Sequence, residues 1–125
     1  MIERDSKSAG FFDAAADDRL VIRWCSACGQ ALPPEAVVCT TCASAVLEWG
    51  AAGGAGVLAS YTVVHRAPHP AYRVPYTIGI VELDEGPWIH ARVNAESPTV
   101  GMRLQTTYRH PEEGESFPLF EEESP

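Results

Sequence analysis

Four cysteines confined to 18 residues constrain this chain more than any other feature: Cys25-Ser26-Ala27-Cys28, ten residues, then Cys39-Thr40-Thr41-Cys42. Tetrahedral zinc takes four thiolates at about 2.3 Å, and two C-x2-C turns facing each other supply them. Gly29, directly after the first turn, suits the positive-φ backbone that such a loop requires. The segment Ala31-Leu32-Pro33-Pro34 is expected to resist helix and strand and to loop the chain back to the metal. Read as disulfides, the cysteines leave three pairings open, and a bridge within a C-x-x-C is strained. A redox dithiol needs one such motif beside a helix, not two facing turns. Four thiolates close the coordination shell, so the expected metal is structural zinc, although the same sulfurs also suit iron. Trp24 and Trp49, flanking the cysteines, are expected to pack over the metal as its hydrophobic cover.

The compartment supports metal over disulfide. The opening MIERDSKSAGFFDAAADDRL carries acids throughout and lacks a basic stretch followed by a long apolar run, so it does not read as a secretory signal. No run reaches the roughly 18 apolar residues that span a bilayer. A cytoplasmic protein is expected, in which paired cysteines point to metal.

Short alternating segments surround the cysteines. Residues 20–24 and 45–49 alternate at period two and flank the metal turns. Ahead of them, residues 8–19 set Phe11, Phe12, Ala15 and Ala16 against Asp13, Asp17 and Asp18, an amphipathic helix with Ser8 as its N-cap. The Phe11–Phe12 pair either packs on the metal unit or faces a partner protein. Residues 51–56, Ala-Ala-Gly-Gly-Ala-Gly, look like a hinge into a second unit. Five strand-like runs follow, at 57–64, 76–83, 88–93, 103–108 and 117–120, with a hairpin turn at Asp84-Glu85-Gly86. Five short strands without a long helix fit a small, partly open Greek-key barrel of the OB type, in which Gly79 suits a sharply bent strand. The expected fold is therefore mainly β: an N-terminal helix and zinc ribbon over residues 1–50, an OB barrel over 51–120, and an acidic tail over 121–125.

The 125 residues carry 9 Lys+Arg against 17 Asp+Glu, a net charge of −8. Six of the acids lie in residues 111–125, which hold no Lys or Arg, so residues 1–110 carry only −2. The nine basic residues never cluster, which weighs against a phosphate-backbone binder and against an electrostatic membrane role. Hydrophobic residues at 46% and charged residues at 21% are globular values and exclude wholesale disorder.

An ordered set of residues carries a family resemblance. It runs from Phe11-Phe12 and Arg19-Leu20 through Cys25, Cys28-Gly29, Pro33-Pro34, Cys39 and Cys42. It continues with Gly56-Val57, Ser60 to His65, Pro75 to Leu83, Gly101-Met102 and Phe117 to Phe120. This pattern resembles the acyl-CoA-associated family with a rubredoxin-like zinc ribbon and an OB-fold, formerly a domain of unknown function. The resemblance implies a non-catalytic accessory subunit of a thiolase-superfamily enzyme: a thiolase, a hydroxymethylglutaryl-CoA synthase or a lipid-transfer-type aldolase. The partner would supply the carbon–carbon chemistry, two copies of each chain would assemble, and the helix and ribbon would dock on the partner.

With Cys25, Cys28, Cys39 and Cys42 assigned to metal, no catalytic cysteine remains. His65, His69, His90 and His110 form no Ser-His-acid pattern that spacing alone reveals, and no phosphate-binding loop precedes a helix. The most polar loop runs from His65 to Arg73. His65, Arg66, His69, Tyr72 and Arg73 are candidates for contact with acyl-CoA or the partner, the arginines on phosphates and Tyr72 over adenine. Phe11 and Phe12 are candidates for partner docking. A single-stranded nucleic-acid binder with the same two modules is the alternative.

Overall fold

The computed structural model describes residues 8–66 and 74–123. A helix, α1 (Ala9–Ala16), leads into a three-stranded sheet of β1 (Val21–Cys25), β2 (Ala31–Leu32) and β3 (Leu47–Ala51), in the order β2-β1-β3. Helix α1 starts on the Ser8 carbonyl, which accepts from Phe11 and Phe12 N–H at 3.1 and 3.2 Å. It stops short of the expected residue 19 because Asp18 turns left-handed at φ 56°, and Arg19 N–H closes back on the Ala14 carbonyl at 2.9 Å. Aspartate tolerates that conformation better than most side chains. Ala31 and Leu32, expected in a loop, pair with Trp24 and Arg23 as β2. Pro33 and Pro34 then end the strand, since neither has an N–H to donate.

Five further strands form a closed barrel in the order β4-β5-β6-β8-β7: β4 (Ala55–Val64), β5 (Tyr76–Leu83), β6 (Trp88–Asn94), β7 (Arg103–Arg109) and β8 (Phe117–Glu122). Four of the five strand pairings are antiparallel; β6 and β8 run parallel through Val93↔Phe120 and Asn94↔Glu121. This is the OB topology, closed where the sequence suggested a partly open barrel. Gly86, at φ 114°, turns β5 into β6 at the expected hairpin. Gly79 serves packing: a Cβ there would press on Leu58 and Val93. Strand β8 runs through Glu122, whose register partner is Leu104, so two of the acids placed in a tail belong to the barrel.

The ribbon and barrel share one core. Leu20 and Ile22, at and beside the start of β1, are buried in a cluster with Leu58, Val81, Leu83, Ile89, Val93, Leu104 and Phe120 of the barrel. The segment expected to be a hinge is held at each step. Ala52 N–H donates to the Leu20 carbonyl at 2.9 Å, and Gly53 N–H to Glu85 Oε2 at 2.7 Å. The Gly54 carbonyl accepts from Thr106 N–H at 2.8 Å and from Thr106 Oγ1 at 2.6 Å. Glycine is required at residue 54, where φ is 87°. The junction is a tied corner.

Candidate metal centre and the surfaces around it

Two turns of near-identical construction bring the cysteines together. In the first, Cys25 N–H donates to the Gln30 carbonyl and Gly29 N–H to the Cys25 carbonyl, at 2.9 and 2.8 Å. In the second, Cys39 N–H donates to the Ser44 carbonyl and Ala43 N–H to the Cys39 carbonyl, at 2.8 and 2.9 Å. Gly29 and Ala43, each one residue past its second cysteine, take positive φ of 79° and 63°. Alanine lacks glycine's freedom there. Ala43→Gly is therefore expected to stabilise the metal-loaded protein by about 0.5–1 kcal/mol, and Gly29→Ala to destabilise it by about 1 kcal/mol. Thermal denaturation of the two variants tests the pair; equal shifts of the same sign would contradict it.

All four sulfurs lie within 4.8 Å of one another, with Cys25–Cys42 and Cys28–Cys39 both at 3.6 Å, and none is in a disulfide. A tetrahedron with metal–sulfur bonds of about 2.3 Å has edges of about 3.8 Å, so the donor set fits zinc. Cys25 and Cys39 are buried under Leu32, with Ala36 and Leu47 packed alongside. Those three residues form the hydrophobic cover, and the tryptophans do not. Trp24 follows the opposite face of β1 into the shared core. Trp49 stands beside Arg23, its register partner, whose guanidinium carbon lies 3.6 Å from the indole centroid. Phe11 meets the same indole at 6.4 Å.

The thiols themselves ask for a cation. The Cys42 N–H, ahead of the Thr41 N–H, brings the Cys39 thiol down to about 6 against the opposing effect of burial. At Cys28 the Gln30 N–H pulls down, yet desolvation and the sulfurs of Cys39, Cys42 and Cys25 prevail and push the thiol up to about 12. Four thiolates this close do not ionise together without a metal to neutralise them. Bound zinc would hold the two turns to each other; with four protein ligands it would keep no open position for substrate.

The other candidate residues are placed separately from this centre. Phe11 is half-buried against the shared core, and Phe12 packs on it edge-to-face at 5.5 Å. His65 and Arg66 are exposed just beyond β4. His69, Tyr72 and Arg73 lie outside the described residues. No helix among the described residues is long and apolar enough to cross a membrane.

One network had no signature in the sequence. His110 bonds through Nδ1 to Ser116 Oγ at 2.8 Å and through Nε2 to Asp18 Oδ1 at 2.6 Å. The residues span 98 positions of the chain, so only the folded barrel brings them together. The His110 and Asp18 side chains keep 46% and 67% of their exposure. Such an open site lacks the desolvation from which charge stabilisation draws its strength. It straps the end of α1 to the β7–β8 loop.

Two family profiles match the chain: "ChsH2, rubredoxin-like zinc ribbon domain" over residues 12–48 and "ChsH2, C-terminal OB-fold domain" over 49–109. A solved structure described as "Ltp2-ChsH2(DUF35) aldolase" superposes with a TM-score of 0.83 at 31% identity, over 95% of this chain and 96% of that one. The chain belongs to the ChsH2-type DUF35 family. A "DUF35 domain-containing scaffold protein" of Methanocaldococcus jannaschii is 31% identical over 90 residues, and 68% of this DUF35 chain matches 64% of that protein. A "Probable enoyl-CoA hydratase alpha subunit" of Thermomonospora curvata is 42% identical over 85 residues, again 68% of this chain. The match spans only 26% of that longer relative. A DUF35 structure from Sulfolobus solfataricus shares the fold, with a TM-score of 0.61 at 17% identity over 81% of this chain and 77% of that one.

Proposed function

We propose that this DUF35 chain is a cytoplasmic, non-catalytic accessory subunit that docks on a thiolase-superfamily enzyme and supports acyl-CoA binding or channelling. The observation that carries the reading is the near full-length likeness to the chain in the Ltp2-ChsH2(DUF35) aldolase structure. The scaffold and enoyl-CoA hydratase descriptions of two relatives support a subunit role in acyl-CoA metabolism. The partner performs the carbon–carbon chemistry, and this chain contributes docking area and a wall near the thioester's entrance.

Phe12 is the better docking candidate of the aromatic pair, since Phe11 is already engaged by the shared core and Trp49. Arg66, exposed just after β4, and Arg73, which lies outside the described residues, are the candidates for the phosphates of the coenzyme. Co-expression with a thiolase-like enzyme encoded beside this chain is expected to give co-elution as two copies of each. A chain that stays monomeric beside that enzyme overturns the reading. Within the complex, Phe12→Ser is expected to weaken subunit affinity by about tenfold, as loss of a buried aromatic anchor does. Arg66→Ala with Arg73→Ala is expected to raise the acyl-CoA KM severalfold, as loss of charge-assisted contacts does. Unchanged KM would remove the loop from the site.

A further inference from the structure

A groove of about 790 Å³ opens in the barrel wall where β5 begins, β6 ends and the chain leaves β7 for β8. Its lining includes Tyr76, Thr77, Arg92, Arg109, His110 and Phe117. In a five-stranded OB barrel the second and third strands, with the loops after the first and fourth, form the face best shaped for a ligand. Here those are β5, β6, the segment arriving at Pro75 and the segment leaving at His110.

The charge in the groove runs against the charge of the chain, which is −8 overall. Two arginines outside the groove face acids: Arg19 faces Asp17, and Arg103 faces Asp84 and Glu123. Arg92 and Arg109 have no carboxylate at ion-pair distance among the described residues. Arg92 is held by its neighbour, its guanidinium carbon 4.9 Å from the centroid of the Tyr76 ring. Stacking occupies a guanidinium face and leaves its N–H edge, the edge that takes two phosphate oxygens together. His110, next to Arg109, is fixed by Ser116 and Asp18 on its two ring nitrogens, so the wall that carries Arg109 is anchored. Tyr76 and Phe117 add ring surface, and the volume lies in the range of small-ligand clefts.

We propose that this groove binds the phosphorylated nucleoside end of a coenzyme A thioester, with Arg92 and Arg109 on the phosphates and Tyr76 and Phe117 against the ring and apolar portions. The assignment rests on the acyl-CoA reading above and locates a ligand site that the sequence did not suggest. It adds Arg92 and Arg109 to the Arg66 and Arg73 that the reading above gives to the coenzyme's phosphates.

Calorimetric titration of the zinc-loaded full chain tests it, with coenzyme A, adenosine 3′,5′-bisphosphate, pantetheine and a mixed-sequence single-stranded oligonucleotide as probes. Coenzyme A and the bisphosphate are expected to bind, and pantetheine is not. Arg92→Ala and Arg109→Ala are each expected to weaken binding by about tenfold or more. Arg92→Lys should recover only part, since a point charge replaces the planar fork. Arg103→Ala, which removes the same charge at the opposite end of β7, should change nothing, and melting curves show that each variant is folded. Coenzyme A binding unaltered in the double alanine variant overturns the site, as does pantetheine binding equal to that of coenzyme A. Tighter, arginine-dependent binding of the oligonucleotide also overturns it and assigns the groove to single strands. In the partner complex, normal assembly with an unchanged KM in the double variant rejects the groove and leaves the accessory role standing. Failure of the wild-type chain to assemble rejects that role, and the titrations then decide the groove alone.

Discussion

Chelation of the metal, or Cys39→Ser, is expected to unfold the ribbon and to lower the melting transition of the whole chain. Structural zinc in small thiolate sites contributes an apparent 10–16 kcal/mol or so at neutral pH, comparable with the roughly 5–15 kcal/mol that stabilises a domain. The ribbon has little to replace it: beneath the turns lie Leu32, Ala36 and Leu47, and β2 is two residues long. The damage reaches the barrel because β1 carries Ile22, fully buried among the barrel's side chains, with Leu20 just ahead of it. Calorimetry with and without a chelator, alongside metal analysis, checks this. A barrel transition that survives chelation unchanged would show that the two units are independent. The same preparation settles the metal, since an iron site of this kind absorbs visible light and zinc is colourless.

The second large effect is expected at Phe120. Phe120→Ala should cost about 3–5 kcal/mol, the range for deleting a buried aromatic side chain. Phe120 has no exposed surface and stands where the barrel closes, beside Val93 of β6 in parallel and Thr106 of β7 antiparallel. The parallel junction consists of two residue pairs, so it depends on packing more than on ladder hydrogen bonds. Phe120→Leu, which refills most of the space, should cost well under half as much. Urea titration of both variants gives the comparison; equal losses would place the effect in the backbone.

Local patterns were legible in the sequence and distant ones were not. The cysteine spacing announced the two turns because metal geometry leaves few alternatives, and β5 was bounded correctly because Gly86 and alternating residues mark it. Strand β2 escaped notice because Ala31 and Leu32 pair only through the neighbouring strand, against the local message of two prolines. The residues 51–56 looked flexible because glycine advertises freedom, whereas their hydrogen bonds come from Glu85 and Thr106, far along the chain. Trp24 and Trp49 were assigned by nearness in sequence; strand alternation and the partners Arg23 and Phe11 decide where they pack. The groove, like the His110 strap, is assembled from residues whose separation no periodicity records.

The tied corner between ribbon and barrel sets a mechanical condition on any assembly this chain enters. A subunit that grips the helix and ribbon also sets the bearing of the barrel wall, because Leu20, Ile22, Ala52 and Gly53 act as a strut between them. Adding one residue between Gly53 and Gly54 is expected to leave β4 in register, since its buried face fixes the pairing, and to break the bonds of Gly53 with Glu85 and Gly54 with Thr106 that tie the corner. Orientation in such a complex is thus a property built into this chain before it meets a partner.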